Sequence, residues 1–378
     1  MSEPSFTLGI EEEYLLVDRT SRDLALDPPR EFFDRAREEL GSRVHPEFMR
    51  AQIEATTSVC GGISQARAEL AQARRVLGTL GEEYGLSPMA ASTHPFAAWE
   101  GHRHTENERY STLARDLQGP VRRLLISGMH VHVGLEDPEL RIDLMSQASY
   151  FLPHLLALST SSPFWRGEDT GLKSYRLAVF NELPRTGLPE IFDSWGEYQR
   201  HLQALLGPRL IEDGTKLWWD LRPSVHFPTL EMRITDVCTA LADALCIASL
   251  YRCLLRMLYR LRRGNQRWRR YAAMLINENR WRAQRYGIDE GLVDFGRGAI
   301  VPMAGLIEEI LELIAPDARF FDCLAEVEHA RTILARGTSA HRQRATFFSA
   351  RNAGASREDA LAAVVDGLLR ETQEETHG

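Results

Sequence analysis

The chain has 378 residues, of which 44% are hydrophobic and 26% are charged, with 45 Lys and Arg residues against 53 Asp and Glu residues. These fractions are typical of soluble globular proteins and exclude a disordered, collagen-like or coiled-coil chain. The net charge of −8 argues against a nucleic-acid partner, because phosphate neutralisation requires a basic surface.

Strand and helix patterns are mixed over the first two thirds of the chain. In chain order they predict a strand at 6–17, a helix at 34–40, a strand at 48–59, helices at 63–84 and 106–117, a strand at 125–135 and a helix at 142–160. Residues 167–189 are rich in turn formers, and we expect them to cross the rim of a site. A helix at 195–206 and two strand pieces within 216–236 follow.

After residue 239 the pattern predicts only helices, at 243–263, 266–286, 302–314, 318–335 and 357–370. No fixed-period repeat and no Pro/Gly/Ser-rich linker divides the chain. We therefore expect one domain over residues 1–378, with a mixed sheet and helix part at 6–238 and a helical part at 239–370.

The five cysteines are scattered, form no CxxC pair and lie at no zinc-like spacing from a histidine. They indicate a reducing, cytoplasmic location. The N-terminal residues lack the basic and apolar segments of a secretory signal. The most apolar stretch, 240–261, contains Asp243, Arg252 and Arg256, so we expect no membrane partner.

Each predicted strand has one face with an unusual set of polar residues. Side chains two residues apart share a face of a strand. The pairs that share a polar face are Glu11 with Glu13, Gln52 with Glu54, His130 with His132, Asp220 with Arg222, and Glu231 with Arg233. A simple alternative is an antiparallel sheet with one face in water.

The residue types favour a site over a solvated face. None of these faces carries a lysine, and neighbouring glutamates repel each other unless a counter-charge is present. Carboxylates with an imidazole are suitable ligands for Mg²⁺ or Mn²⁺, and arginines beside them are suited to an anion such as phosphate. This combination points to phosphoryl transfer. Residues 167–174 do not have P-loop spacing, so any ATP would bind without a P-loop.

Five segments with these residues share a pattern with a known family: 9–13, 52–54, 127–134, 230–233 and 277–287. Together they resemble the bacterial carboxylate–amine ligases, or glutamate–cysteine ligase type 2, of the glutamine synthetase/glutamate–cysteine ligase superfamily. The resemblance runs from about residue 6 to residue 369. It implies an α+β fold with a curved, mainly antiparallel sheet forming a funnel and with helices packed outside.

The resemblance also implies an activity. The expected reaction uses Mg-ATP to convert a carboxylate, such as the γ-carboxylate of glutamate, to an acyl phosphate, which an amine such as that of cysteine attacks. By analogy, the metal ligands are Glu11, Glu13, Glu54, His130 and Glu231. Arg233 would contact the phosphates or the acyl phosphate. Weaker candidates for phosphate or substrate carboxylate are Arg222, Arg176 and Arg109, and Lys173 is a candidate phosphate contact by its position.

Some assignments stay open from the sequence. His132 is either a metal ligand or a hydrogen-bond donor to one, whereas Glu12 faces the apolar side and is expected in an ion pair. Asp236 is expected to cap the following helix. A metal-dependent amide hydrolase using the same carboxylates is the alternative function, and a non-catalytic nucleotide-binding protein is a third. We expect a homodimer as the assembly.

Overall fold

The computed structural model describes residues 3–101, 103–106, 115 and 117–374, without the side chain of Arg122. Most of the predicted helix at 106–117, together with Arg109, lies outside these residues. None of the described helices is both long enough and apolar enough to cross a lipid bilayer.

The strands of the described residues form one large sheet and three small ones. In chain order they are β1 (Leu8–Asp18), β2 (Val44–Pro46), β3 (Gln52–Thr56), β4 (Leu86–Met89), β5 (Met129–Gly134), β6 (Phe164–Trp165), β7 (Glu168–Asp169), β8 (Thr186–Gly187), β9 (Trp218–Trp219), β10 (Leu221–Pro223), β11 (Thr229–Met232), β12 (Leu292–Asp294) and β13 (Ala299–Val301). The large sheet has the order β10-β11-β5-β1-β3-β2, and β4 pairs with the second half of β1. All of its pairings are antiparallel.

The described helices are α1 (Arg30–Leu40), α2 (Ile63–Glu83), α3 (Pro138–Ala148), α4 (Leu152–Ser159), α5 (Arg176–Phe180), α6 (Trp195–Leu206), α7 (Leu241–Arg263), α8 (Ala273–Tyr286), α9 (Met303–Phe320), α10 (Leu324–Arg336), α11 (Ser339–Asn352) and α12 (Arg357–Gln373). Helices α2, α3 and α7 pack against one face of the large sheet. Buried residues of α2 recur every three to four positions, as in an amphipathic helix: Ala66, Leu70, Ala73, Leu77 and Leu80.

The sheet curves around a cavity on its other face. His45 belongs to the edge strand β2 and Arg222 to the opposite edge strand β10, yet both line one cavity. Alternation in β1 explains the two faces, because Leu8, Ile10 and Tyr14 are buried beneath the sheet while the residues between them include the polar pair. The predicted α+β class, with a curved antiparallel sheet and helices outside, is confirmed.

The prediction of a wholly helical last third was wrong in one place. Strands β12 and β13 form a hairpin between α8 and α9. The helix predicted from residue 266 begins only at Ala273, and the helix predicted to end at residue 314 continues past Pro316 to Phe320. Helix α11 and strand β4 were not predicted. Three- and four-residue strands carry too little alternation to be recognised, and α11 has no clear apolar stripe.

Candidate functional site

The register of the large sheet brings the polar residues of four strands together. Glu11 of β1 lies opposite His130 of β5, and Glu13 lies opposite Glu54 of β3. Glu231 of β11 lies opposite His132. Directly opposed side chains on one face of a sheet are close neighbours, so the alternation predicted from the sequence produces one cluster.

A first group of potential ligands consists of Glu11, His132 and Glu231, whose ligand atoms all lie within 4.8 Å of one another. His132 Nδ1 lies 2.9 Å from Thr229 Oγ1, which fixes the ring. Its Nε2 lies 3.1 Å from Glu11 Oε1 and 4.0 Å from Glu231 Oε1, and it is buried without a hydrogen-bond partner of good geometry. This nitrogen is therefore oriented towards two carboxylates with its ring position already held.

The second group consists of Glu13, Glu47 and Glu54, also within 4.8 Å of one another. Glu13 Oε2 accepts a hydrogen bond of 2.7 Å from the backbone nitrogen of Gly128. Burial and the nearby carboxylate of Glu47 raise the pKa of Glu13 to about 8. Burial and the carboxylates of Glu11, Glu47 and Glu13 raise the pKa of Glu54 well above its usual value. Negative charge in this group is therefore poorly compensated by the protein itself.

His130 lies between the two groups. Its Nδ1 is 2.9 Å from Glu11 Oε2, and its Nε2 is 3.8 Å from Glu13 Oε1. Burial and the positive charge of Arg233 lower the pKa of His130 to about 4, so the ring is neutral at pH 7. Burial alone would raise the pKa of Glu11, but the hydrogen bond from His130 and the nearness of His132 hold it well below its usual range.

Two arginines are paired with Glu231. Arg222 Nε donates to Glu231 Oε2 at 2.9 Å, and its Nη1 donates to the carbonyls of Thr215 and Leu217. Arg233 Nη1 donates to Glu231 Oε1, while its Nε is buried without a partner among the described residues. Burial would raise the pKa of Glu231, but these two guanidinium groups hold it far below its usual range.

A cavity of about 620 Å³ contains both groups and both arginines. Its wall also includes aromatic side chains, among them Trp218 and Phe227. The cavity volume is within the range of small-molecule sites. The cavity wall contains most of the site residues that were predicted from the sequence: Glu11, Glu13, Glu54, His130, Arg222, Glu231 and Arg233.

The structure does not bring Arg176 and Lys173 to the cavity wall. Arg176 is buried beside Gly128, outside the cavity wall, where it donates to the carbonyls of Arg233 and Ile234 at 3.2 and 3.3 Å. Lys173 Nζ forms an ion pair of 2.8 Å with Asp289. Neither is among the described residues that line the cavity.

Two other expectations have clear outcomes. The ion pair of Glu12 is confirmed, because both its oxygens accept hydrogen bonds from Arg74, at 2.7 and 3.1 Å, beneath the sheet. The expected helix cap at Asp236 was wrong, because α7 begins only at Leu241. Asp236 is instead buried and accepts hydrogen bonds from Ser161 N, Ser162 Oγ and Ser174 Oγ.

Sequence reasoning missed two residues of the site, Glu47 and His45. Both belong to the stretch His45-Pro46-Glu47, which falls between a predicted helix and a predicted strand. The edge strand β2 has only three residues, so it shows no alternation. The available signal was the presence of two potential metal ligands directly before a strand with a polar face.

The donor set fits a divalent cation at each group. In the second group, the close carboxylates of Glu13, Glu47 and Glu54, whose charge the protein leaves poorly compensated, are typical oxygen ligands of hard cations. In the first group, two carboxylates lie beside an imidazole nitrogen. The buried His132 Nε2, which lacks a hydrogen-bond partner of good geometry, is the kind of nitrogen that completes such a set. Arg222 and Arg233 add positive charge at one side, which favours an anion between them and the carboxylates.

Comparison with known proteins connects this site to one family. The family model described as glutamate-cysteine ligase family 2 matches residues 7–367. A protein from Rhodospirillum rubrum is 65% identical over 376 residues, covering 98% of this chain and 97% of that protein. One from Jannaschia sp. is 53% identical over 370 residues, covering 98% of this chain and 97% of that protein. Both have the name "Putative glutamate--cysteine ligase 2".

Solved structures share the fold at low sequence identity. A glutamate–cysteine ligase from Francisella tularensis in complex with AMP aligns with a TM-score of 0.68 and 13% identity, over 98% of this chain and 89% of that chain. A bifunctional glutathione synthetase from Pasteurella multocida aligns with a TM-score of 0.65 and 14% identity, over 98% of this chain and 53% of that chain. The amide hydrolase alternative finds no support in these comparisons. The chain belongs to glutamate-cysteine ligase family 2.

Proposed function

We propose that this protein is an ATP-dependent carboxylate–amine ligase that joins the γ-carboxylate of glutamate to the amino group of cysteine through an acyl phosphate. Family membership supports a ligase, and the names of the relatives support these two substrates. The fold shared with a ligase solved in complex with AMP supports a nucleotide in the funnel. The observation that carries the proposal is the pair of adjacent acidic groups, together with the two arginines that form ion pairs with Glu231.

In this proposal the two acidic groups hold Mg²⁺ or Mn²⁺. The ligands are Glu11, Glu231 and His132 in the first group and Glu13, Glu47 and Glu54 in the second. His130, which the resemblance also implies as a ligand, lies between the groups and is hydrogen-bonded to Glu11, so it stays a candidate ligand for either cation. When bound, the cations neutralise phosphate charge during phosphoryl transfer.

Arg233 and Arg222 have different parts in the proposal. Arg233 has a guanidinium nitrogen without a partner among the described residues, so it can donate to an oxygen of the transferred phosphoryl group. Arg222 is held by Glu231 and by two backbone carbonyls, so it positions Glu231 and adds positive charge to the wall. Both arginines favour an anionic reacting group over the simple activation of water.

Arg176 and Lys173 keep their predicted roles only as weaker proposals. Arg176 lies beside Gly128, outside the cavity wall, and its charge stabilises the anionic form of Glu13. Its proposed effect on substrate therefore acts through Glu13 and not by direct contact. Lys173 would have to leave Asp289 to contact a phosphate, which is a rearrangement that the ion pair opposes.

The test is ADP release from Mg-ATP with glutamate, in the absence and presence of cysteine and of a panel of other amines. We expect glutamate-dependent ADP release that cysteine accelerates, and its loss in Glu13→Gln. Glu82→Gln, a surface carboxylate paired with Arg19, is the matched control and should keep full activity. ADP release that requires another amine would correct the acceptor, and amide hydrolysis without ATP would contradict the proposal.

A further inference from the structure

Two buried thiols meet in the helical layer, on the side of the large sheet away from the polar cavity. Cys253 belongs to α7, and Cys323 lies in the turn between α9 and α10. Their sulfur atoms are 3.6 Å apart, although 70 residues separate them in the sequence. The two residues are 0% and 1% exposed, and both are free cysteines. The fold therefore holds two sulfur atoms in direct contact without a bond between them.

The surroundings of Cys323 favour its thiolate form. Cys323 is the N-cap residue of α10, where the first backbone N–H groups of the helix form the positive end of its dipole. The hydrogen bond from the Cys253 thiol and the charge of Arg252 lower the pKa of Cys323 from its usual value, against the effect of burial. Helix N-termini and neighbouring cations are the surroundings in which reactive cysteines occur. Cys323 is therefore the better nucleophile of the pair.

Arg252 places an uncompensated positive charge beside the two sulfur atoms. Its Nε and Nη2 donate to the carbonyls of Phe6 and Gly61, both at 2.7 Å, and its guanidinium lies 3.9 Å from the centre of the Phe321 ring. The side chain is only 3% exposed, and Nη1 has no hydrogen-bond partner among the described residues. No carboxylate in the described part of the chain forms an ion pair with it, and its charge acts on both thiols.

The helices around the two thiols are already in place for a bond between them. Helix α7 packs against both α9 and α10, so joining the sulfur atoms requires side-chain rotation and no rearrangement of the helices. The turn that contains Cys323 lies at the surface, because Asp322 and Leu324 on either side of it are exposed. A small oxidant therefore needs only a local opening of this turn to reach the sulfur.

We propose that Cys253 and Cys323 form a reversible dithiol–disulfide pair that is oxidised by a hydroperoxide such as hydrogen peroxide. The thiolate of Cys323 attacks one peroxide oxygen, so that an S–O bond forms, the O–O bond breaks and the other oxygen leaves as water. The sulfur of Cys253 then displaces the hydroxyl group of this sulfenic acid, which forms the S–S bond and releases a second water. The two thiols lose two protons and two electrons, and the peroxide is reduced to water. This site does not depend on the proposed function.

The test locates the cross-link in the folded protein. The unsubstituted protein is treated with hydrogen peroxide, its remaining thiols are alkylated, and mass spectrometry of unreduced peptides identifies the linked cysteines. We expect a cross-link between the peptides of Cys253 and Cys323, which dithiothreitol removes. The oxidised protein should melt about 5 °C higher than the reduced protein, because the bond closes a loop of 70 residues in the unfolded chain.

Two variants separate the steps of the reaction. In Cys253→Ala the second sulfur is absent, so oxidation should stop at the sulfenic acid of Cys323, which dimedone labels when the treated chain is then denatured. Cys246→Ala is the matched control. Cys246 is equally buried in the same helix, but its sulfur contacts the carbonyl of Val327, so this variant should form the same cross-link as the unsubstituted protein.

Three results would overturn the proposal. The first is that both thiols are still free for alkylation after peroxide treatment and denaturation. The second is a cross-link that uses another cysteine in place of Cys253 or Cys323. The third is dimedone labelling of Cys253 in Cys323→Ala that is as fast as the labelling of Cys323 in Cys253→Ala, because the surroundings of Cys323 would then have no part in the reaction.

Discussion

Glu54 and Glu231 line the same cavity in opposite electrostatic surroundings. Glu231 is paired with two guanidinium groups, which hold its pKa far below the usual range against the effect of burial. Glu54 forms no ion pair in the described part of the chain, and burial and three nearby carboxylates raise its pKa. One carboxylate thus stabilises the metal-free fold, whereas the other destabilises it when ionised.

Replacing each of these by glutamine should change stability in opposite directions. A carboxyl group whose pKa is raised by folding destabilises the folded state once the pH exceeds the pKa of that group in the unfolded chain. In the absence of metal, Glu54→Gln should therefore increase the free energy of unfolding at pH 8 by about 1 kcal/mol. Glu231→Gln leaves two buried arginines without a counter-charge and should decrease it by about 3 kcal/mol. Both variants should lose ATP turnover. Urea denaturation distinguishes them, and a stabilised Glu231→Gln would disprove this electrostatic assignment.

His154 of α4 gives a pH dependence outside the cavity. It is buried against Tyr150 and Phe151, and burial lowers its pKa to about 4. Between these two pKa values, the usual one of about 6.5 and the lowered one, His154 is protonated in the unfolded state but neutral in the folded state, so the free energy of unfolding falls as pH decreases from about 6.5 towards 4. At pH 5 this group alone should cost about 2 kcal/mol. Urea unfolding at pH 7 and pH 5 measures how much of the free energy of unfolding is lost between the two pH values. This loss should be smaller in His154→Leu than in the unsubstituted protein by that amount, and an equal loss in both would refute the role of His154.

Single residues were predictable where a strand pattern constrained them. The alternation around Glu11, His130 and Glu231 requires only that side chains two apart share a face, and the structure brings these residues together. Lys173 lies in a loop whose path is set by the packing of α8 and α11 around Asp289 and His341, which no local pattern reveals. The assignment of all these residues to metal or phosphate stays a prediction.

At the scale of elements, β1 is fixed to the helices behind it by one buried ion pair. Arg74 of α2 binds both oxygens of Glu12 and also donates to the carbonyls of Cys238 and Thr239, just before α7. Glu12 lies between the two site residues Glu11 and Glu13. The position of the site carboxylates therefore depends on a charge pair on the opposite face of the sheet.

Removing Arg74 should damage both stability and activity. In Arg74→Met, the carboxylate of Glu12 stays buried without a counter-charge and keeps only the hydrogen bond from the Tyr14 hydroxyl, so we expect the free energy of unfolding to fall by about 4 kcal/mol. The double variant Glu12→Gln/Arg74→Met removes that charge and should recover part of the loss. Arg67 lies on the same helix in a partly exposed pair with Glu326. Arg67→Met is therefore the control and should change the free energy of unfolding by less than about 1 kcal/mol. A double variant no more stable than Arg74→Met would contradict the explanation.

Whole elements were predictable when they were long and periodic. The strand containing Glu11 and the helices at 63–84 and 195–206 have enough repeats to be recognised, and α6 has the predicted bounds, with Ser194 as its N-cap. Helix α9 contains Pro316, which reads as a stop, yet apolar contacts of its last turn maintain the helix. Tertiary packing overrides the local signal there.

At the scale of the whole molecule, the curved sheet explains why distant segments form one site. Its two edge strands lie more than 170 residues apart in the chain, at Val44–Pro46 and Leu221–Pro223, and both contribute to the cavity wall. Among the described residues, α2, α3 and α7 pack on the opposite face, whereas α12 packs against Leu15, Val17 and Met89 at the far end of the polar face. The carboxylates at the other end of that face line the cavity. The single domain and the homodimer expected from the sequence stay predictions.

We propose that this cavity activates a carboxylate by phosphorylating it. The most direct measurement is the fate of oxygen-18 in glutamate labelled at its γ-carboxylate, incubated with Mg-ATP and the accepted amine. Phosphorylation followed by amine attack leaves one carboxylate oxygen on the released phosphate, so we expect labelled inorganic phosphate in proportion to the amide formed. Unlabelled phosphate, or label found in AMP, would contradict the account.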